Sequence, residues 1–101
     1  MNNNQKILNL LGLATRARKI VLGEEFVMNS MKTPGTIVFL ATDAGANITK
    51  KIHNRALTYN NKVIDLFTTD ELSQAIGKQN RKVILLDDKG FIKKINEYLN
   101  A

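Results

Sequence analysis

The sequence has no cysteine, and among its 101 residues it has one histidine and one proline. The absence of cysteine excludes a disulfide framework, a thiolate metal site and a cysteine nucleophile, and it fits a reducing cytoplasm. The histidine, His53, falls within a predicted helix beside several cations. This setting favours a surface histidine over a Ser/His/Asp triad, and one histidine cannot build a two-histidine metal site.

Long hydrophobic runs and glycine-rich phosphate motifs are also missing. The longest apolar runs, at 37–41 and 83–86, are far shorter than the roughly 20 residues that span a bilayer. The polar segment 1–5 lacks the charged and apolar regions of a signal peptide. No GxGxxG motif follows a strand, and no GxxxxGK motif followed by serine or threonine occurs. We therefore expect no membrane segment, no export and no nucleotide cofactor.

Two adjacent acids, Asp87 and Asp88, follow the second apolar run. Carboxylates at the carboxyl edge of an α/β sheet often bind a ligand or a metal. The alternative, which we favour, is that one aspartate caps the last helix, because Asp88 precedes Lys89 and Gly90. We assign no catalytic residue, no metal site and no cofactor.

Basic residues outnumber acidic residues by 15 to 9, which gives a formal net charge of +6 and a pI near 9.8. They are segregated, because three stretches with several basic residues, 1–23, 44–64 and 72–86, contain no acid. Such zones suit polyanion binding, since each neutralised phosphate releases condensed counterions. Charge alone fits a nucleic-acid-binding surface and a merely solvated basic surface equally well.

Three short apolar or β-branched runs, 36–41, 62–67 and 82–86, alternate with segments of helical period. This pattern predicts a single α/β domain over residues 1–101, with a sheet covered by helices on both faces. A further short strand at 19–22 is predicted at a sheet edge. The predicted helices are 4–17, 23–32, 46–59, 69–76 with Thr69 as N-cap, and a last helix that includes Phe91, Ile92, Ile95 and Leu99.

The segment 19–25 combines a short strand, a glycine turn and the start of a helix. Backbone N–H groups at such a turn point outward, so this segment is a candidate RNA-facing edge. Glu24 and Glu25 either compensate the helix dipole or accept hydrogen bonds from base edges of RNA. The expected basic neighbours are Arg16, Arg18 and Lys19.

Four motifs follow one another along the chain: LGLATRARKIVLGEEFV, VFLATDAGANITKK, DELSQAIGK and DDKGFIKK. Together they resemble the archaeal ribosomal protein seven-Ae family, most closely its bacterial YlxQ-like branch, from about residue 8 to residue 94. The resemblance implies a three-layer α/β/α sandwich around a mixed, roughly four-stranded sheet. It also implies binding to kink-turns, which are sharply bent RNA duplexes with tandem sheared G·A pairs, and in many members a ribosomal role.

The RNA-contact turn of that family has a glycine, then polar residues that meet guanines, then a lysine one turn later. Gly23 matches the glycine, and Glu24 and Glu25 match the next polar positions. Phe26 stands where an acid or amide is usual, and Asn29 stands at the lysine position.

The second family contact is a loop after the fourth helix, which here is the polar and basic segment 77–82. Ser73, in the helix before it, replaces a common glycine. The composition of the loop predicts phosphate contacts more than stacking. From charge and resemblance together, the predicted RNA-contact residues are Arg16, Arg18, Lys19, Gly23, Glu24, Glu25, Asn29, Lys78, Gln79, Asn80, Arg81 and Lys82.

Our main hypothesis is a non-catalytic, monomeric protein of the cytoplasm that binds structured RNA, ribosomal or otherwise, and associates with the ribosome. A second hypothesis is a protein-interaction module or accessory ribosome factor with only weak, non-specific RNA binding. An apolar surface patch at Phe26 and Met28 would favour it, although their helical spacing favours core positions. A third hypothesis is the RNA-docking part of a modifying enzyme, which needs a fused or partner catalytic domain.

Overall fold

The computed structural model describes residues 2–100, and within them the chain forms five helices and four strands. The predicted bounds agree with the observed ones to within two residues at most ends. In chain order the elements are α1 (Asn3–Arg16), β1 (Ile20–Leu22), α2 (Glu24–Ser30), β2 (Ile37–Leu40), α3 (Ala46–Tyr59), β3 (Lys62–Ile64), α4 (Thr69–Ile76), β4 (Val83–Leu86) and α5 (Lys89–Leu99). No helix among residues 2–100 is long and apolar enough to cross a membrane.

The four strands form one mixed sheet in the order β1-β4-β2-β3. The last strand, β4, lies between β1 and β2 and is antiparallel to both, whereas β2 and β3 are parallel. The sheet is therefore mixed and four-stranded, as predicted, and β1 lies at its edge as predicted.

Alternating side chains of the two central strands divide the core into two layers. Ile37, Phe39, Ile84 and Leu86 pack with buried residues of α1, α4 and α5. Val38, Leu40, Val83 and Leu85 pack on the other face with buried residues of α2 and α3. All eight side chains are buried. The helical layers on both faces confirm the predicted three-layer α/β/α sandwich.

Side chains cap two of the helices that follow strands. The Asp88 carboxylate accepts a hydrogen bond from the Phe91 backbone N–H at 3.0 Å, which confirms the predicted cap of α5. The prediction that Thr69 caps α4 is wrong, because the N-cap is Thr68. Thr68 Oγ1 accepts from Glu71 N–H at 3.2 Å and Glu71 Oε1 accepts from Thr68 N–H at 3.0 Å, which is a reciprocal capping box.

The third strand is shorter than predicted, because it ends at Ile64 and not at residue 67. Asp65 and Leu66 are exposed, and Phe67 then returns to the core, where its ring centroid lies 6.5 Å from that of Phe39. Its carbonyl accepts a hydrogen bond from Thr42 N–H at 2.8 Å. The apolar pattern of the run thus reflects burial of Phe67 outside the sheet.

The strand directions bring several loops to one end of the sheet. Leu22 and Leu40, the last residues of β1 and β2, lie beside the start of β4, and β3 runs parallel to β2. We call this end the turn–loop edge; it comprises Gly23, the loop 41–45, Thr68 and the loop 77–82. The opposite end, which we call the far edge, comprises Lys19, the turn 33–36 and Asp87.

Candidate nucleic-acid interface

The turn from β1 into α2 depends on a glycine. Gly23 is the N-cap of α2 and has φ +93° and ψ 131°, a region that residues with a side chain rarely adopt. The short helix that follows is anchored by the buried side chains of Val27 and Met31. Glu24 and Glu25 lie exposed in its first turn, where negative charge compensates the helix dipole.

The basic loop before β4 is attached to α4 through Ser73, which is only 5% exposed. Ser73 Oγ accepts a hydrogen bond from Arg81 N–H at 2.8 Å, and its backbone carbonyl accepts one from Lys78 N–H at 2.9 Å. Gly77 and Asn80 have φ of +69° and +56°, so the chain turns sharply twice within the loop. Both ends of the loop are therefore held by one residue.

The glycine turn and the basic loop meet at the surface. They line an open depression of about 290 Å³ together with Ile48 of α3; its walls are Gly23, Glu24, Ile48, Asn80, Arg81, Lys82 and Val83. A second depression of about 460 Å³ shares Glu24, Ile48 and Lys82 and extends over the first residues of α3 to Lys51. The fold thus brings together two segments that are far apart in sequence.

Side chains of both charges line these depressions. Lys51 Nζ lies 3.8 Å from Glu24 Oε1, and both side chains are about half exposed. An exposed pair of this kind contributes little to stability, but it places a cation beside the first acid of α2. Arg81 and Lys82 line the first depression together with Glu24, so the surface has donors suited to phosphates next to carboxylates able to accept hydrogen bonds.

Asp43 fixes the loop after β2 at this edge. Its Oδ1 accepts hydrogen bonds from Thr69 Oγ1 at 2.7 Å and from Thr69 N–H at 2.8 Å. The Thr69 hydroxyl, followed by the Thr69 backbone N–H, holds the pKa of Asp43 below its ordinary value, and the positive charge of Lys82 acts in the same direction. Thr69 therefore joins α4 to the neighbouring loop, which explains its burial.

The structure does not group three of the predicted basic residues with the glycine turn. The Lys19 carbonyl accepts a hydrogen bond from Asp87 N–H at 3.0 Å, so Lys19 and the preceding Arg18 lie at the far edge. Arg16 lines a separate depression between α1 and α4, beside Glu71. The expectation that these residues flank Gly23 needs correction, and their contact with RNA stays a prediction.

The other predicted contact residues lie on exposed positions. Glu25 and Asn29 are exposed one helical turn apart on α2, and Lys78 and Gln79 are exposed in the loop. Within residues 2–100 there is no group of three or more histidine, cysteine or acidic side chains that could hold a metal ion.

Two residues of this surface were not among the predicted RNA contacts. Phe26 was expected in the core, but its side chain is 69% exposed, whereas Met28 is half-buried against the core as expected. Val27 and Met31 already form the buried face of α2 at helical spacing, so the same spacing could have excluded Phe26 from the core. Lys51 was not predicted as part of this surface, because nothing in the sequence indicates its contact with Glu24.

Two relatives match nearly the whole chain. The RNA-binding protein YlxQ of Enterococcus faecium is 41% identical over 100 residues, which cover 98% of this chain and 96% of the relative. The RNA-binding protein YlxQ of Bacillus subtilis is 35% identical over 92 residues, which cover 90% of this chain and 92% of the relative. No protein-family model matches the chain.

Solved structures share the fold. A protein of unknown function from Bacillus halodurans superposes with a TM-score of 0.87 at 37% identity, over 95% of this chain and 98% of that one. The 15.5kD RNA-binding protein of Giardia lamblia superposes with a TM-score of 0.83 at 14% identity, over 97% of this chain and 85% of that one. At this low identity the second similarity concerns the fold alone.

Proposed function

The chain belongs to the family of the RNA-binding protein YlxQ, and from this membership we propose that it is a non-catalytic protein that binds structured RNA at the turn–loop edge. The turn–loop edge is proposed as the RNA-binding surface because of one structural observation. Gly23 and Glu24 line the same depression as Arg81 and Lys82, so base-edge acceptors and phosphate-binding cations lie side by side.

We propose a kink-turn or a related bulged helix as the RNA. In this mechanism Arg81 and Lys82 neutralise backbone phosphates, while the exposed carboxylate of Glu25 accepts hydrogen bonds from the amino edges of sheared G·A pairs. Because the protein contacts the bent RNA more extensively than the extended RNA, binding shifts the flexible RNA towards its bent form. The motif resemblance and the position of Gly23 support this RNA class.

We propose that the protein acts as a monomer in the cytoplasm and that its targets include ribosomal RNA. The cysteine-free composition fits a reducing compartment, and the ribosomal role implied by the motif resemblance supports the target. Sedimentation of the tagged protein in a lysate tests the setting, since ribosome association predicts a salt-sensitive fraction that migrates with ribosomal subunits.

Specificity is tested by titrating the protein with three RNAs: a kink-turn, the same RNA with its G·A pairs replaced, and a plain duplex. We expect the kink-turn to bind most tightly. Glu25→Ala should reduce the preference for the kink-turn over the disrupted RNA by about 1 to 3 kcal/mol, because it removes a paired hydrogen bond to a base edge. A fluorescence-anisotropy titration at constant salt measures all three affinities.

Glu97→Ala is the matched control, since it also removes one exposed negative charge but lies at the far edge. Both variants should bind the plain duplex equally well, and only Glu25→Ala should lose discrimination. Equal wild-type affinity for the kink-turn and the disrupted RNA would contradict kink-turn specificity. The absence of any RNA affinity at low salt would contradict RNA binding altogether.

A further inference from the structure

Phe26 is an exposed aromatic side chain on an otherwise polar surface. Its exposure of 69% contrasts with Phe39 and Phe67, which are buried, and Phe91, which is half-buried. The short helix α2 already has its core anchors in Val27 and Met31, so packing of the helix does not require Phe26. Exposure of so large an apolar surface is costly in water.

The ring lies directly against the glycine turn. A Cβ atom placed on Gly23 would come within 3.2 Å of Phe26 Cδ2, which is tighter than ordinary van der Waals contact. Glycine at this position therefore accommodates the positive φ and also leaves room for the ring. Glu24, the residue after Gly23, lines the same depression as Arg81 and Lys82.

The surroundings of Phe26 favour a nucleobase over an apolar protein partner. Glu24, Glu25 and Asn29, its neighbours on α2, are all exposed and polar. The other exposed large hydrophobic residues of the described chain lie on other segments: Leu13 on α1, Leu57 on α3 and Leu66 after β3. Protein-binding surfaces generally contain contiguous apolar area, whereas single exposed aromatic rings are the platforms on which unpaired bases stack. The glycine turn against which the Phe26 ring packs lines a depression with Arg81 and Lys82, which can hold the phosphates of such a nucleotide.

We propose that Phe26 stacks on an unpaired nucleobase of the bound RNA, next to the phosphates that Arg81 and Lys82 contact. This inference rests on the RNA binding proposed above and adds a recognition element to it. Stacking tolerates any base, because every base has a π face. Phe26 therefore selects RNA with an unpaired nucleotide at this position, whatever the identity of that nucleotide.

A double-mutant cycle between protein and RNA tests the proposal. The protein variants are Phe26→Ala, Phe26→Leu and Phe26→Trp, with Leu57→Ala as control because Leu57 is 85% exposed on α3. The RNAs are a kink-turn and copies of it in which each unpaired nucleotide in turn is replaced by an abasic residue. Thermal unfolding of each variant verifies that it is folded.

We expect Phe26→Ala to weaken binding of the intact kink-turn by about 5-fold to 150-fold, the range of one base–aromatic stack. Phe26→Leu should lose nearly as much, whereas Phe26→Trp and Leu57→Ala should bind like wild type. Wild type should bind one of the abasic RNAs as weakly as Phe26→Ala binds the intact RNA. Phe26→Ala should bind that abasic RNA with the same affinity as wild type does. The salt dependence of binding should be unchanged, since no phosphate contact is removed.

The outcomes separate this inference from the proposed function. If Phe26→Ala binds every RNA as wild type does, stacking is contradicted while RNA binding stands, and the ring is then a candidate protein contact. Full affinity of Phe26→Leu would likewise contradict stacking in favour of simple apolar contact. If wild type binds none of the RNAs at low salt, both proposals fail.

Discussion

A single carboxylate, that of Asp43, holds the loop after β2 against the start of α4. Two hydrogen bonds that it accepts come from Thr69, and they are stronger for the ionised than for the protonated carboxyl group. The pKa of Asp43 is therefore lower in the folded protein than in the unfolded chain. Such a group stabilises the fold at pH values above its unfolded pKa, and this contribution is lost as the pH falls through its folded pKa.

Asp43→Asn should consequently destabilise the protein at pH 7, and the difference from wild type should shrink as the pH falls below about 4. Urea unfolding from pH 7 to pH 3 measures the difference in the free energy of unfolding. Asp65→Asn is the control, because it removes an exposed carboxylate that follows β3. A difference between wild type and Asp43→Asn that stays the same at every pH would show that ionisation of Asp43 does not stabilise the fold.

The two adjacent threonines at this site show which contacts of single residues can be predicted from the sequence and which cannot. Either hydroxyl can cap a helix, and the burial of Thr69 against Asp43 depends on contacts between distant segments, which the sequence does not reveal. The spacing of Thr68 and Glu71 does match a capping box, so the correct cap was readable. The exposure of Phe26 could also have been predicted from sequence spacing, because Val27 and Met31 already form the buried face of α2.

At the scale of elements, Ser73 couples α4 to the basic loop. The Arg81 N–H, which donates this hydrogen bond, is partly buried and has no other acceptor among the described residues. A loop held at both ends presents its cations in a defined arrangement, which reduces the entropy lost on binding. Ser73 therefore fixes the shape of the surface that we propose to bind RNA, although its own side chain is buried.

Ser73→Ala should lower the free energy of unfolding by about 1 kcal/mol, the net value of one hydrogen bond. Amide hydrogen exchange should accelerate at residues 78–82 and stay unchanged in the central strands. Ser30→Ala provides a control substitution of the same kind at the end of α2. Unchanged exchange in the loop would show that the Ser73 hydroxyl does not hold it.

The bounds of helices and strands were predicted correctly where buried residues follow a single helical or strand spacing. The bounds of α3 agree with the structure because Ile52 and Ala56 recur at helical spacing on a single buried face. The end of β3 was missed because Phe67 continues the apolar pattern after the chain has left the sheet. The position of Lys19 was missed because it depends on the pairing of β1 with β4, a long-range contact.

At the scale of the whole molecule, the sheet separates two basic surfaces. Lys78 and Lys82 lie in the loop at the turn–loop edge, whereas Lys89 and Lys93 line a depression of about 560 Å³ at the far edge beside Asp87. All four lysines are exposed, and each pair is spaced four residues apart. The two pairs carry equal charge, so they differ in location and not in their contribution to the net charge of +6.

The salt dependence of RNA affinity in two double variants, Lys78→Gln with Lys82→Gln and Lys89→Gln with Lys93→Gln, tests the location of the interface most directly. For each phosphate that a variant no longer neutralises, the slope of log K against log salt should become shallower by about 0.7 to 0.9, the range for single- and double-stranded DNA. We predict a shallower slope and weaker binding for the first variant, with the second close to wild type. Equal effects of the two variants, or a larger effect of the second, would contradict RNA binding at the turn–loop edge.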